Sequence, residues 1–378
     1  MRKILIVGGG LAAARTGAAL RRLGFAGTIT VLSAEDRLPY DRPPLSKAAL
    51  HGDTDTTLPV DYADLGITVR LGTRATALDT GHRVVTTDGG APESFDGLVI
   101  ASGAEPMVVP GTGRQATLRT AADAAGLRAR LLPGARVLII GASWIGAEVA
   151  TAALARGCQV TCVEAAESPL AGALGATAGT VLAGWWSGID LRLGTGVAGV
   201  FDDGVRLEDG SVLPADVVVT GIGVRPATGW LAGSGVKADR GVLVDEYLRT
   251  PLPRIVAVGD AACWWSRRWQ DHLRLGHWDD AAQAPAVAAR SLLEPGAHQA
   301  PYDPVPYFWS DQFGHKLQFV GHRTADSKEL IAAGDDGAVR GIAWLRPDGR
   351  LTAYLALDSP RDMIRARKAI AEGKELDG

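Results

Sequence analysis

The stretch Lys3-Ile-Leu-Ile-Val-Gly-Gly-Gly-Leu-Ala-Ala-Ala-Arg-Thr-Gly17 constrains the chain more than any other. Ile4 to Val7 is a short apolar run ended by three glycines. Leu11, Ala14, Ala18 and Leu23 then recur at helical spacing, which predicts strand, turn and helix in immediate succession. A turn of this kind brings backbone amides close to a pyrophosphate, and the helix N-terminus adds partial positive charge. Gly8 permits the tight turn and Gly10 leaves room for phosphates. Ala13 stands where a third glycine is usual and still lets helix and strand pack closely. Glycine turns also occur for purely structural reasons, so the rest of the chain has to supply what a dinucleotide needs.

With 378 residues the chain has room for two or three domains. A formal net charge of −3 gives no reason to expect nucleic acid or an anionic membrane as a partner. No apolar run reaches membrane-spanning length and Met1 leads straight into a strand, so a soluble cytoplasmic protein is expected. Cys158, Cys162 and Cys263 offer neither a disulfide framework nor paired metal-ligand spacing, and no metal is expected. All ten tryptophans lie from Trp144 onward, with a cluster at Trp264, Trp265 and Trp269.

Thr28 to Leu32 predicts a second strand, and Glu35 just beyond it is the candidate acceptor for an adenosine ribose. A second strand–turn–helix begins at Arg136-Val-Leu-Ile-Ile140. Its turn is Gly141-Ala-Ser143-Trp144-Ile145-Gly146, and its helix is expected from about Ile145 to Arg156. Glu164 ends the next strand, roughly twenty residues past the turn, as the dinucleotide fingerprint requires. Ser143 replaces the middle glycine. Its Cβ narrows the approach to a pyrophosphate, while its hydroxyl offers a hydrogen bond. A carboxylate at 164 accepts two ribose hydroxyls and repels a 2′-phosphate, and no arginine follows in Ala165-Ala166, so NADH is expected over NADPH. Two such units in one chain point to dinucleotide chemistry. Farther on, residues 197–250 read as a β-meander with strands at Val197 to Phe201, Val205 to Leu207 and Asp216 to Thr220. Strands from Pro301 end near Leu357, and a short basic helix is expected from Arg361 to Ala371.

Several motifs carry a resemblance. They are PYDRPPLSK at 39–47, Ala101-Ser102-Gly103 after a strand, Gly221-Ile222-Gly223-Val-Arg-Pro226, Gly259-Asp260, the stretch from Leu273 through Trp278 to Pro285, and PYFWSDQFG at 306–314. In this order they resemble the FAD-dependent ferredoxin and rubredoxin reductases. That group is putidaredoxin reductase-like and has the pyridine nucleotide-disulfide oxidoreductase fold without the redox disulfide. The absence of any cysteine before Cys158 excludes a dithiol relay. The resemblance implies an α/β chain with two Rossmann-like dinucleotide-binding domains and a small α+β C-terminal domain. A discontinuous FAD domain is expected at 1–112 and 242–300, an NAD domain at 113–241, and a C-terminal domain covering the flavin at 301–378.

The resemblance also implies site residues. FAD contacts are expected at Gly8, Gly10, Leu11, Ala12, Ala13, Glu35, Arg42, Lys47, Ala75, Ala101, Ser102, Gly103, Arg119, Gly259, Asp260, Trp278 and Trp309. NAD contacts are expected at Gly141, Ser143, Trp144, Ile145, Gly146, Glu148, Glu164, Gly221, Ile222 and Gly223. Lys47 belongs near the flavin's reactive edge and Glu148 near the nicotinamide, the two forming an ion pair. Trp309 lies over or beside the ring. The sequence also departs from the family. Glu105 and Met107 stand where an arginine is common, Gly276 and Ala284 replace a glutamate and a glutamine, and Ala34 occupies the usual place of the ribose acid.

Three functions follow. The first is an NADH-dependent ferredoxin reductase, in which FAD takes hydride from NADH and single electrons go to a [2Fe–2S] ferredoxin serving an oxygenase or cytochrome P450. In that reading Arg361, Arg365, Arg367 and Lys368 either face the acidic ferredoxin or form a solvated helix face. The second is direct reduction of a quinone, a small molecule or dioxygen, which the Gly276 and Ala284 departures keep open. The third is a redox-responsive interaction protein resembling apoptosis-inducing factor. A monomer or homodimer is expected, and in the third reading NADH-driven charge transfer changes the oligomeric state.

Overall fold

The computed structural model describes residues 1–294, 296, 299–334 and 337–374. The chain divides into two compact units. One comprises Met1–Asp41, Thr56–Glu105 and Arg225–Pro304, the other Arg42–Asp55, Pro106–Val224 and Val305–Gly378.

The first unit is built on a five-stranded parallel sheet. Its order in space is Ile255–Ala257, Gly97–Ile100, Lys3–Val7, Thr28–Leu32, Ile67–Arg70. Ile4, Leu5, Ile6, Leu98, Val99 and Ile100 are all fully buried, because a parallel sheet is covered on both faces and its strands are apolar throughout rather than alternating. The helix Leu11–Arg22 follows the first strand directly and packs against the helix Trp278–Leu293. The unit also holds an antiparallel sheet of Ala75–Asp79, Val84–Thr87 and Gly90–Ser94, and a mixed one in which Ala262–Ser266 pairs in parallel with Val242–Val244 and antiparallel with Asp271–Leu273.

The second unit repeats the plan with a four-stranded parallel sheet in the order Asp190–Arg192, Gln159–Val163, Arg136–Ile140, Val217–Thr220. This corrects the expected meander. Only Val197–Phe201, Gly204–Leu207 and Val212–Leu213 form it, while Val217–Thr220 pairs in parallel with Arg136–Ile140. The reason lies in the side chains: Val217, Val218, Val219 and Thr220 are all buried, and such a run suits a strand covered on both faces rather than one with a wet side. The second helix spans Trp144–Ala155, starting one residue before the expected position.

The C-terminal part is a five-stranded antiparallel sheet ordered Tyr307–Gln312, His315–Gly321, Leu351–Leu357, Val339–Leu345, Lys328–Ala333. Leu351–Leu357 is buried along its whole length. Leu317, Ile342, Trp344, Ala353, Leu355 and Leu357 pack with Leu170, Leu174, Ala178 and Leu182, and the helix Pro360–Glu372 lies against the same strand through Ala366, Ala369 and Ile370. That helix starts at Pro360, where the missing N–H costs nothing at a first turn. Among the described residues no helix is long and apolar enough to cross a membrane.

Two candidate nucleotide cradles and a buried ion pair

In the first unit the turn after Lys3–Val7 holds Gly8 at φ +127, a conformation that side chains other than glycine rarely adopt. A Cβ there would lie 2.0 Å from the Ala101 carbonyl oxygen. The Gly8 N–H donates to Leu32 O at 2.9 Å, tying the turn to the neighbouring strand. Gly10 differs: a Cβ built there meets no atom within 4 Å. Gly10 is the N-cap of the helix whose first turn is Leu11, Ala12 and Ala13, all buried, so its amide end opens onto free space at a helix N-terminus. Gly259, at φ +63, comes so near this helix that a Cβ would lie 3.1 Å from the Ala12 Cβ, and Asp260 follows it within the 3-10 turn Gly259–Ala261. Ala101, Ser102 and Gly103 stand just past the strand that meets Gly8, and the Ser102 hydroxyl donates to Ala227 O at 2.8 Å.

Other expected contacts are engaged within the unit. Glu35 accepts from the Tyr40 hydroxyl at 2.6 Å, which fixes its carboxylate. Trp278 opens its helix and its indole N–H donates to Asp41 at 2.5 Å. Ala75 begins the antiparallel strand Ala75–Asp79, outside the parallel sheet. One residue after Trp278's neighbour Asp279, the carboxyl of Asp280 is buried and accepts from the Tyr302 hydroxyl at 2.6 Å. Burial pushes it from 3.8 up to about 7, and the charges of Asp260 and Asp279 add to the rise. An unfolded aspartate ionises near pH ~4, so stability linked to this group is full below that value and is lost as pH rises through about 7. Asp280→Asn keeps an acceptor for Tyr302 and removes the titration. Thermal melts between about pH 5 and pH 8 are therefore expected to fall more steeply for wild type than for the variant, and equal slopes would refute the assignment.

In the second unit Gly141 sits at φ +100, and a Cβ there would come within 2.7 Å of Gly221 O. Gly146 is required for closeness alone, since a Cβ would stand 2.1 Å from Gly141 O. Ser143 is the helix N-cap, and its Oγ accepts from the Gly146 N–H at 3.2 Å. The serine that replaces the middle glycine thus caps the helix, a role in which serine is favoured. Trp144 packs on Phe308 with ring centroids 4.6 Å apart, and Ile145 follows it in the first turn. Glu164 accepts from the Ala142 N–H at 2.8 Å and from the Ala166 N–H at 2.9 Å, so its carboxylate is anchored beside the glycine turn. Gly221, Ile222 and Gly223 leave the strand Val217–Thr220, with Ile222 partly exposed and Gly223 O accepting from Met107 N–H at 3.0 Å.

The same unit holds the expected ion pair. Lys47 Nζ lies 2.8 Å from Glu148 Oε1, and the glutamate is only 4% exposed. Sequence reasoning missed the company this pair keeps. Ser46 and Ser310 also donate to Glu148, the latter at 2.5 Å. Trp309 stacks on Tyr307 at 5.8 Å, and Arg367 lies over the Tyr307 ring at 5.6 Å. Arg42 donates to the backbone carbonyl of Arg119, whose own N–H donates to Asp123 at 3.0 Å. Of the basic helix, Arg365 is paired with Asp362, while Arg361 and Lys368 are exposed.

Comparison with known proteins follows the same outline. The family described as pyridine nucleotide-disulphide oxidoreductase matches residues 2–284, and the one described as reductase C-terminal matches residues 307–378. The chain is 36% identical to rhodocoxin reductase of Rhodococcus erythropolis, over 97% of this chain and 89% of the relative. It is 34% identical to the ferredoxin–NAD(+) reductase component of the p-cumate 2,3-dioxygenase system of Pseudomonas putida, over 99% and 94% respectively. The crystal structure of Fdr9 superposes with a TM-score of 0.96 at 56% identity, covering 100% of this chain and 96% of that one.

Proposed function

The chain belongs to the pyridine nucleotide-disulphide oxidoreductase family, and on that footing we propose that it is an NADH-dependent ferredoxin reductase with FAD as its resident cofactor. The observation that carries the reading is the pair of glycine cradles, one in each unit, each ending a buried parallel strand and opening a helix. FAD supplies the chemistry when bound: it accepts a hydride from NADH and gives up electrons one at a time. The protein's part is to bind, orient and exclude water.

The residues present suit FAD and NADH. Gly8 and Gly10 frame a helix N-terminus with open space at Gly10, where a pyrophosphate finds backbone N–H groups and no competing side chain. Asp260 supplies an acceptor for the ribityl chain close to that helix. Gly141, Ser143 and Gly146 form the second cradle for NADH, with Glu164 held to accept its ribose hydroxyls. Lys47 and Glu148 orient the nicotinamide and the reactive edge of the flavin, and Trp309 shields the ring. The acceptor is a [2Fe–2S] ferredoxin. This chain's relative in the p-cumate system is a ferredoxin–NAD(+) reductase component, which supports a ferredoxin as the acceptor. The protein works in the cytoplasm as a monomer or homodimer, a setting that suits its buried free thiols at Cys158, Cys162 and Cys263.

Anaerobic mixing with NADH is expected to bleach the flavin within a turnover time, and steady-state cytochrome c reduction is expected to require an added [2Fe–2S] ferredoxin. Quinone turnover that is fast and indifferent to ferredoxin would overturn the reading. Glu164→Ala is expected to raise KM for NADH by about ten-fold and narrow the preference over NADPH, because two ribose hydroxyls lose an ionised partner. An unchanged NADH/NADPH ratio would remove Glu164 from the site.

A further inference from the structure

The geometry assigns to Ser46, Ser310 and Gln312 a joint positioning role: they clamp the Glu148 carboxylate and, through it, fix the Lys47 ammonium. The inference rests on the reading that Lys47 and Glu148 serve the exchange between nicotinamide and flavin.

Glu148 projects from the helix Trp144–Ala155 into a region closed to solvent. Its Oε1 receives the Lys47 ammonium at 2.8 Å and the Ser310 hydroxyl at 2.5 Å, and its Oε2 receives the Ser46 hydroxyl. Both serines are themselves buried. Gln312, 2% exposed, donates its Nε2 to Ser310 Oγ at 3.0 Å. That last contact fixes a direction. With its oxygen accepting from the amide, the Ser310 hydroxyl points its own hydrogen at Glu148. Donors converge on the carboxylate from three sides, and none of them asks it to donate in return. A lysine side chain with four rotatable bonds has little orientation of its own, whereas a carboxylate held at both oxygens presents one fixed direction to its partner.

The backbone explains how Ser310 arrives there. Along Tyr307–Gln312 successive side chains point to opposite faces, so Phe308, Ser310 and Gln312 share one face. The helix presents Trp144, Glu148 and Thr151 in a single stripe. Trp144 meets Phe308, Glu148 meets Ser310, and the Thr151 hydroxyl accepts from the Phe313 N–H at 2.9 Å. Three contacts in register lock helix to strand, so the serine cannot slide off the carboxylate. Ser46 comes from the 3-10 turn Pro43–Ser46, adjacent in sequence to Lys47, and ties the lysine's own backbone to the same carboxylate.

A purely structural account would have the hydroxyls only satisfy a buried charge. The two accounts separate in the holoenzyme of Ser310→Ala, Ser310→Thr and Gln312→Ala. Stopped-flow reduction over a range of NADH concentrations gives the NADH Kd and the limiting rate. Acetylation of Lys47 by limiting acetic anhydride, read by peptide mass spectrometry, reports the freedom of the ammonium without reference to turnover. Ser310→Ala is expected to lower the limiting rate about ten-fold, the scale on which a misplaced reacting geometry is costly, with NADH Kd within about two-fold of wild type. It is also expected to raise Lys47 acetylation several-fold. Ser310→Thr, which retains the hydroxyl, should restore both, and Gln312→Ala should shift both in the same direction by less. Loss of thermal stability with rate and acetylation unchanged would overturn the clamp, as would wild-type behaviour throughout. Should Ser310→Ala fail to fold, Gln312→Ala alone decides by the same two readouts. If NADH does not reduce even the wild type, the functional reading fails, while the acetylation series still tests the clamp.

Discussion

Gly10→Ala is expected to give a folded protein that purifies without flavin colour. The backbone at Gly10 is extended, at φ −103 and ψ −169, so alanine adopts it without strain, and the new Cβ meets no protein atom within 4 Å. Exchanging glycine for alanine at an N-cap costs roughly 0.5–1 kcal/mol, since alanine suits that position less well than glycine, and a loss of that size leaves the fold intact. Whatever Gly10 is needed for therefore lies outside the protein's own packing. In the proposed reading it is the FAD pyrophosphate, which a methyl group at the mouth of the cradle would displace. Gly8→Ala is expected to behave oppositely. Its φ of +127 is strained for any L side chain, and the Cβ would overlap the Ala101 carbonyl oxygen at 2.0 Å. Moving that backbone would cost on the order of 4 kcal/mol or more, and insoluble or unfolded material is the expected result. The measurements are the ratio of flavin to protein absorbance after purification and a thermal melt. A Gly10→Ala protein that keeps its full complement of FAD would show that the cradle is only a turn.

Both cradles were legible in the sequence because a glycine turn between a buried strand and a helix is local chemistry. The residues that demand it, such as Ala101 opposite Gly8, lie far away in sequence, yet the demand leaves its mark at the glycine itself. The last strand of the expected meander is not legible, for the converse reason. Val217–Thr220 follows a true antiparallel ribbon after only residues 214–216, a gap as short as a hairpin turn, so its burial on both faces is what separates it from that ribbon.

The ion pair was legible only through resemblance, since Lys47 and Glu148 are 101 residues apart. Its supporting hydroxyls were not legible at all. Ser46 and Ser310 reach Glu148 across 102 and 162 residues, and serine in a turn or a strand has no pattern that announces a buried acceptor. The same holds for Tyr40 on Glu35 and for Asp41 on Trp278. These side chains become partners only after the sheets have placed them.

Lys47→Ala should have the second large effect, and it separates stability from reactivity. Removing the ammonium leaves the Glu148 carboxylate, 4% exposed in the native chain, with the Ser46 and Ser310 hydroxyls as its donors. Breaking a buried pair in this way costs about 3 kcal/mol, because the surviving charge still lacks water. The low end of the usual range applies, since Lys47 is 25% exposed and the serines remain. Flavin reduction by NADH should fall with it, on the order of a hundred-fold, through loss of the oriented ammonium that the proposed reading assigns to the reacting edge. The double variant Lys47→Met/Glu148→Gln removes both charges and fills similar volume. The glutamine oxygen can still accept from Ser46 or Ser310, so most of the lost stability should return, as it does when a buried ion pair is exchanged for neutral groups. The rate should not return, because nothing restores a fixed charge there. Thermal unfolding and stopped-flow reduction of the two variants read the two effects side by side. A double variant that recovers rate together with stability would make the pair a packing element and take it out of the hydride step.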